Sequence, residues 1–371
     1  MSNDIKFFVG LDVHKDSTAI AVCEPGRAAS RFVGSVGPDL QQVLKVLQRY
    51  GDTARVSVVY EAGPTGYGLQ RALAERGYRC EIIAPSLIPR RAGERIKTDR
   101  RDCARLAELS RAGELKAIWV PDAAHEAIRN LWRAREDAVG ARLKARQQLK
   151  AFLLRAGRRY EGKTAWTKMH ERWIEAQHFD GRADQITLTE YQLAVRAAGE
   201  RVQRLTAALE QATVDWRFGP AVVALRALRG IDTVNAIGLV CEIGDISRFA
   251  TARQLMGYLG LVPSEHSSGG TVRRGSITKT GNAHARRLLT EAAWNYRFPA
   301  RMSTTLRGRS KGLPPAIQMH AWRAQLRLCA RFAHLSHRGV QANKICVAVA
   351  RELAGFVWAI AHQAAPSAGQ S

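Results

Sequence analysis

Four acidic residues, Asp12, Glu61, Asp99 and Asp102, offer the most specific chemistry in this sequence. Asp12 closes the apolar run that starts at Ile5, and Glu61 directly follows Val56-Ser57-Val58-Val59-Tyr60, so both stand at strand ends that one sheet edge can present together. Asp99 and Asp102 open the helical pattern TDRRDCARLAEL at i,i+3 spacing, which puts them on one helix face. Hard oxygen donors placed this way suit Mg²⁺ or Mn²⁺, ions that activate an attacking oxygen and stabilise a leaving oxygen in phosphodiester chemistry. Taken singly each is an ordinary turn or cap residue, and Asp99 reads as a helix N-cap. As a set they read as metal ligands.

The elements that must hold these acids follow from the hydrophobic pattern. Ile5 to Leu11, STAIAVCEP after Asp12, and Ser30 to Ser35 read as a three-strand meander. A helical stretch from Leu40 to Tyr50 precedes the strand ending at Glu61; the helix-like GYGLQRALAERG and a strand from Arg79 to Ala84 come next. This alternation predicts an α/β sheet covered by helices, within a first domain over residues 1–122. Between Glu126 and Tyr160, ten Lys/Arg stand against three Asp/Glu, with Ile128, Leu131, Val139, Leu143, Leu149, Phe152 and Leu153 at helical intervals. A second stripe over Tyr191 to Thr213 uses Leu193, Val202, Leu205 and Leu209. Residues 123–215 therefore read as a coiled-coil-like helical region, either an antiparallel hairpin or an oligomer seam, with Glu161 to Thr189 unassigned. Residues 216–371 read as a mainly helical domain. Its opening, ALRALRGIDTVNAIGLVCEIGDISRF, suggests a helix-hairpin-helix whose glycine turn can offer backbone N–H groups to a DNA phosphate.

Composition narrows the partner. The 371 residues carry 57 Lys+Arg against 33 Asp+Glu, a formal net charge of +24, with basic residues spread from Arg27 to Arg351. That balance calls for a polyanion held by its backbone over much of the surface. The six cysteines never fall at metal-ligand or redox spacing, so reduced core thiols are expected. The N-terminus lacks the pattern of a signal peptide, and no stretch is expected to reach the length of a membrane span, so a cytoplasmic, membrane-free protein is expected.

The strings FVGLDVHKDSTAIAV, VVYEAGPTGYGLQRAL and IKTDRRDCARLAEL resemble the three acidic motifs of the DEDD transposases, insertion-sequence recombinases with a RuvC-like N-terminal domain. A second segment, RQLMGYLGLVPSEHSSGGTVRRGSITKTGNAHARRLLTEAAW, resembles the serine-containing second domain of the same family. The resemblance implies an RNase H-like fold in which Asp12, Glu61, Asp99 and Asp102 hold metal. It also implies a nucleophilic serine in Ser267-Ser268-Gly269-Gly270, taken as Ser267, with Ser264 and Ser268 as alternatives. Attack by a serine conserves the phosphodiester as a protein linkage that a second strand can reverse, so no ATP is needed. Arg273, Arg274 and Lys279 follow closely and are candidates to hold phosphate. The family further implies target and donor DNA, a structured guide (bridge) RNA, and an oligomer, dimer or tetramer.

Other readings use the same residues. A metal-dependent nuclease of Holliday-junction-resolvase type would let water attack. An actin-like ATPase or sugar kinase would need a phosphate-binding glycine soon after Asp12, where Val13-His14-Lys15 stands. A non-catalytic nucleic-acid-binding protein would use its acids only as caps.

Overall fold

Strand β1 (Phe7–Val13) sits at the middle of a sheet, and its alternation decides what lies on each face. A computed structural model describes residues 5–89, 98–265, 267–268 and 270–364. They divide into two compact units, residues 1–122 and 123–371. In the first unit β1 pairs antiparallel with β2 (Thr18–Cys23), which pairs antiparallel with β3 (Arg31–Val36). On its other side β1 runs parallel to β4 (Val56–Glu61), and β4 runs parallel to β5 (Arg79–Ile83). The order is β3-β2-β1-β4-β5. Val9, Leu11, Ile20, Val22, Val58 and Tyr60 pack in one core with the apolar sides of α1 (Leu40–Leu47) and α2 (Gly68–Ala74). The β-branched run in β4 is buried on both faces, as expected of a strand covered by helices.

Helix α3 (Asp99–Ala112) covers the opposite face, where Cys103 meets Ala19 and Ala21. It comes so close to β1 that a Cβ on Gly10 would stand 2.1 Å from the Cys103 carbonyl oxygen and 2.6 Å from the Ala107 nitrogen. Only a residue without a side chain fits there. Gly10→Ala is expected to cost about 3 kcal/mol, read by chemical denaturation, because backbone on both sides must shift to admit one methyl group. The helix cap is Thr98, whose hydroxyl accepts from Arg101 N at 3.4 Å, so Asp99 is the first helical residue and not the N-cap. The change of role leaves the Asp99 carboxylate available outside the cap.

The second unit begins with α4 (Ala123–Arg155) and returns through α5 (Lys168–Glu175) into α6 (Arg182–Ala212). Contacts of Arg135 with Thr206 and of Phe152 with Tyr191 run in opposite order along the two long helices, so they form an antiparallel hairpin within one chain. Helix α4 ends before Tyr160 because Gly157, at φ 74°, turns the chain and lets Arg158 N reach the Leu153 carbonyl. Helix α6 starts at Arg182, ahead of the expected Tyr191. Its first turns carry Thr187 and Thr189, β-branched residues that hide a helix in sequence but here bond back to the carbonyls four residues earlier. Of the expected stripe, Val202 and Leu209 are buried, whereas Leu193 is 46% exposed and Leu143 on α4 is 57% exposed. The hairpin therefore hides a narrower seam than the periodicity suggests.

Helices α7 (Gly219–Leu225) and α8 (Thr233–Ile243) form the expected pair about Gly230, but the turn has a different use. A Cβ at Gly230 would lie 2.5 Å from the Ala292 carbonyl, so the glycine permits close packing. The α8 N-terminus carries its own carboxylate, Asp232, accepting from Asn235 N at 2.8 Å. That disfavours the phosphate-docking expectation, since an acid already occupies the anion position. Then come α9 (Ala252–Tyr258), a small hairpin of β6 (Pro263–Glu265) and β7 (Arg274–Ile277), α10 (Ala283–Ala293), α11 (Thr304–Ser310), α12 (Pro315–His337) and α13 (Ala342–Ala364). Contrary to expectation, α13 is long and apolar enough by composition to span a membrane, with mean hydropathy 1.5 in its most apolar window. Its Ile345, Val349, Leu353, Val357 and Ile360 instead fill the core of this unit. All six cysteines are buried and free, as expected.

Candidate active-site residues

Asp12 lies one residue beyond Leu11, which registers with Tyr60, so it stands beside Glu61 at the carboxyl end of two parallel strands. Leu11 and Tyr60 face the larger core, and alternation turns Asp12 and Glu61 to the α3 side. The close contact at Gly10 brings the first turn of α3 to the same edge. There His14 Nε2 is 3.2 Å from Asp12 Oδ2 and 3.6 Å from Asp99 Oδ1. One donor atom from each of Asp12, His14 and Asp99 falls within 4.8 Å of the others, a spacing that a single cation can span. Asp102 is near enough to act on Asp12 by charge. Glu61 joins by strand register and is outside the tight trio.

Burial pushes the Asp12 carboxyl above its ordinary range; the charge and hydrogen bond of His14 pull it down, and Asp99 and Asp102 push it up again. A half-buried carboxylate among like charges is a poor resting state for an apoprotein and a good one for a cation site. Asp102 Oδ2 supplies the direct test of fit, being sealed from solvent with no hydrogen-bond partner among the described residues. Such an orphaned acceptor is costly unless something positive meets it. The residues present therefore fit a divalent cation. Their oxygens suit Mg²⁺ or Mn²⁺, and the imidazole tilts the set toward later first-row metals. His14 escaped the sequence reading; its signal was the D-x-H spacing, which on a strand returns the side chain to the face of Asp12.

In the second unit, Ser267 lies beyond β6 in the β6–β7 hairpin. Its Oγ donates to Glu265 Oε1 at 2.8 Å and accepts from Arg273 N at 3.3 Å. Arg274 Nε is 3.7 Å from Glu265 Oε2. Arg273 and Lys279 are exposed, and Lys279 adopts φ 56° while its N–H donates to the Gly260 carbonyl. Ser268 exchanges two backbone hydrogen bonds with Thr271. Ser264 is turned toward Gly275, where a Cβ would meet its Oγ at 2.4 Å. Glu265 is thus a partner of Ser267 that sequence reading missed.

A buried carboxylate ties the start of α10 to α4. Glu242, with a side chain 1% exposed, accepts from Arg133 at 2.8 and 3.0 Å and from Asn282 Nδ2 at 2.6 Å. Burial opposes its ionisation, but the hydrogen bonds from Arg133 and Asn282 and the charges of Arg133 and His284 outweigh that and hold it below the ordinary value. Its contribution to stability is therefore present above pH 4.5 and fades as pH falls through the lowered value. Glu242→Ala is expected to cost about 2–3 kcal/mol, measurable as a lower denaturation midpoint, because the Asn282 amide and the half-exposed Arg133 guanidinium lose the acceptor that they share.

Comparison with known proteins identifies the family. A family profile described as "Transposase", of the DEDD IS110 type, matches residues 9–157, and one described as "Transposase IS116/IS110/IS902 family" matches residues 223–306. A putative transposase of Sinorhizobium fredii is 47% identical over 96% of this chain and 89% of its own length. The transposase for insertion sequence element IS1533 of Leptospira borgpetersenii is 30% identical over 89% of this chain and 96% of its own. A pilin gene-inverting protein of Moraxella lacunata is 23% identical over 97% of both chains. The protein is accordingly a transposase, an enzyme that cleaves and transfers DNA strands. It belongs to the IS110/IS116/IS902 family of insertion-sequence transposases.

Proposed function

We infer that this transposase breaks DNA by attack of Ser267 on a phosphodiester. The serine Oγ–phosphorus bond forms as the bond from phosphorus to the leaving sugar oxygen breaks, the serine proton passes to Glu265, and the leaving oxygen takes up a proton. The contact of Ser267 Oγ with Glu265 Oε1 at 2.8 Å carries this reading, because a hydroxyl needs an acceptor for its proton to become a nucleophile. Reversal by a hydroxyl of another strand completes transfer. A divalent cation held by Asp12, Asp99 and Asp102, with Glu61 and His14 beside them, would neutralise phosphate charge and sharpen the attacking oxygen. Arg273, Arg274 and Lys279 would hold phosphate. The sheet order, a meander joined to two parallel strands, supports an RNase H-like, RuvC-like domain over residues 1–122. Residues 123–215 would then serve as a helical connector and residues 216–371 as the serine-bearing domain.

The relative named for pilin gene inversion supports site-specific exchange, since inversion requires two defined junctions. A structured guide RNA pairing with target and donor DNA accords with a net charge of +24 spread along the chain, because delegated sequence reading needs backbone contacts. Sequencing the RNA that copurifies with the protein tests this: a defined RNA with loops complementary to both DNAs is expected, and none above background sinks it. A dimer or tetramer would bring two DNA partners together. Mixing Asp102→Ala with Ser267→Ala subunits tests whether the centres are shared: restored strand transfer means that one subunit's serine works with another's acids.

One observation favours a neighbour as nucleophile. Ser268 is held by its backbone pairing to Thr271, and among the described residues no hydrogen bond engages its hydroxyl, whereas that of Ser267 is engaged twice. Digesting the covalent protein–DNA adduct and locating the modified residue separates the two. A reaction that yields cut DNA with no adduct on either serine would mean that water attacks.

A further inference from the structure

At the far end of the α4–α6 hairpin a recess of about 320 Å³ opens beside α5. Lys150, Arg158, Arg159 and Lys163 line it, and no acidic residue among the described ones does. Arg158 is partly committed, donating to the His178 carbonyl at 3.3 Å and lying 5.3 Å over the Phe179 ring. The other three make no ion pair among the described residues, and all four are exposed. Like charges around one concavity repel, and an anion placed among them removes that cost.

The rest of the recess is aromatic. Tyr160 packs edge-on to His170 at 4.6 Å and tilts against Trp173 at 5.4 Å, while His170 stacks on Trp173 at 5.7 Å. Tyr160 and Trp173 are half-buried and line the opening, so each keeps ring surface toward it. The cluster is preset: a Cβ at Gly162 would lie 2.3 Å from the Tyr160 ring, so the glycine lets that ring rest on the backbone. His170 accepts from Trp166 N through Nδ1 at 3.1 Å, and burial, then the Lys150 charge, disfavour its protonated form, so it contributes a neutral ring.

We propose that this recess, lined by Lys150, Arg159, Lys163, Tyr160 and Trp173, binds an unpaired nucleotide of a single-stranded nucleic acid. The base stacks on the aromatic side and the flanking phosphates meet the cations. Rings and cations together are what single strands require, whereas paired bases keep their faces to themselves and would present phosphate alone. The size suits one nucleotide and excludes a duplex. The inference does not depend on the serine or metal chemistry, whose residues lie elsewhere in the chain. RNA and DNA share this chemistry, so both are tested.

The full-length protein is mixed with short oligo-U RNA carrying 4-thiouridine or oligo-dT DNA carrying 4-thiothymidine, irradiated and digested. Cross-links within residues 150–173 are expected with at least one probe; RNA alone, DNA alone or both would identify the strand type. Tyr160→Ala is expected to weaken binding of that probe about ten-fold, as loss of one base stack does, and Tyr160→Phe to retain it. The exposed pair Arg159→Ala/Lys163→Ala, which leaves the core intact, is expected to lower the salt-dependence slope by about 1.4. Cross-links only outside residues 150–173, or wild-type affinity and slope in these variants, overturn the proposal. So does a loss of oligomerisation in the double variant with cross-links unchanged, which would make this end of the hairpin a protein contact.

Discussion

Ser267→Ala is expected to abolish the covalent protein–DNA adduct and lower strand cleavage by more than about 10³-fold, with DNA binding unchanged. Removing one oxygen from an exposed hairpin leaves the fold intact, so the loss would lie in the chemical step. If water were the attacking group, the variant would still cut. Ser268→Ala run in parallel gives the opposite outcome: an adduct that persists in Ser267→Ala and disappears in Ser268→Ala moves the attack one residue along. Glu265→Gln tests the proton acceptor, because it keeps the shape but lowers the basicity of the group 2.8 Å from Ser267 Oγ. Cleavage is expected to fall about 10²-fold and to recover partly as pH rises.

The acidic centre carries the second large effect. Asp102→Ala is expected to lower cleavage by a comparable factor and to remove stabilisation by Mn²⁺ or Mg²⁺, which in the wild type should reach about 2.7 kcal/mol at a hundred times the dissociation constant. Thermal denaturation reads this without any reaction, so it separates failure to bind metal from failure of chemistry. Asp12 gives the sign. Its carboxyl is raised above 3.8 by burial first, so the stability that it contributes is present below that pH and is lost as pH rises through the raised value. At neutral pH the metal-free protein therefore bears an ionised Asp12 at a cost. Asp12→Asn is expected to raise the metal-free melting temperature by about 2 °C while eliminating the metal response. A variant that melts lower without metal and still responds to it would refute a cation site at Asp12.

Much of this was legible in the residues, and the exceptions have physical causes. The strands ending at Asp12 and Glu61 were readable because β-branched runs with alternation leave few alternatives. The start of α6 was not, since threonines that bond back within a helix look the same in sequence as threonines in a loop. The two stripes that include Leu143 and Leu193 mislead because periodicity tells which residues share a face and not whether a neighbour covers it. The apolar run of α13 carries no sign of whether protein or lipid surrounds it. At Gly230 the turn was readable, but its use in packing against Ala292 was not.

Residue types alone supply the net charge of +24 that calls for a polyanionic partner, and the places of the acids and serines along the chain. Those are local properties of residue type and spacing. Packing brings His14 to both Asp12 and Asp99, seals Asp102 Oδ2 with no partner among the described residues, sets Glu265 against Ser267, and gathers four cations and a cluster of rings around one recess. The reason is that these are distances between side chains set by packing: Gly10 draws α3 onto β1, and hairpin closure turns Glu265 back on its own loop. A residue's chemistry belongs to its type, but what it acts on depends on the backbone that carries it there.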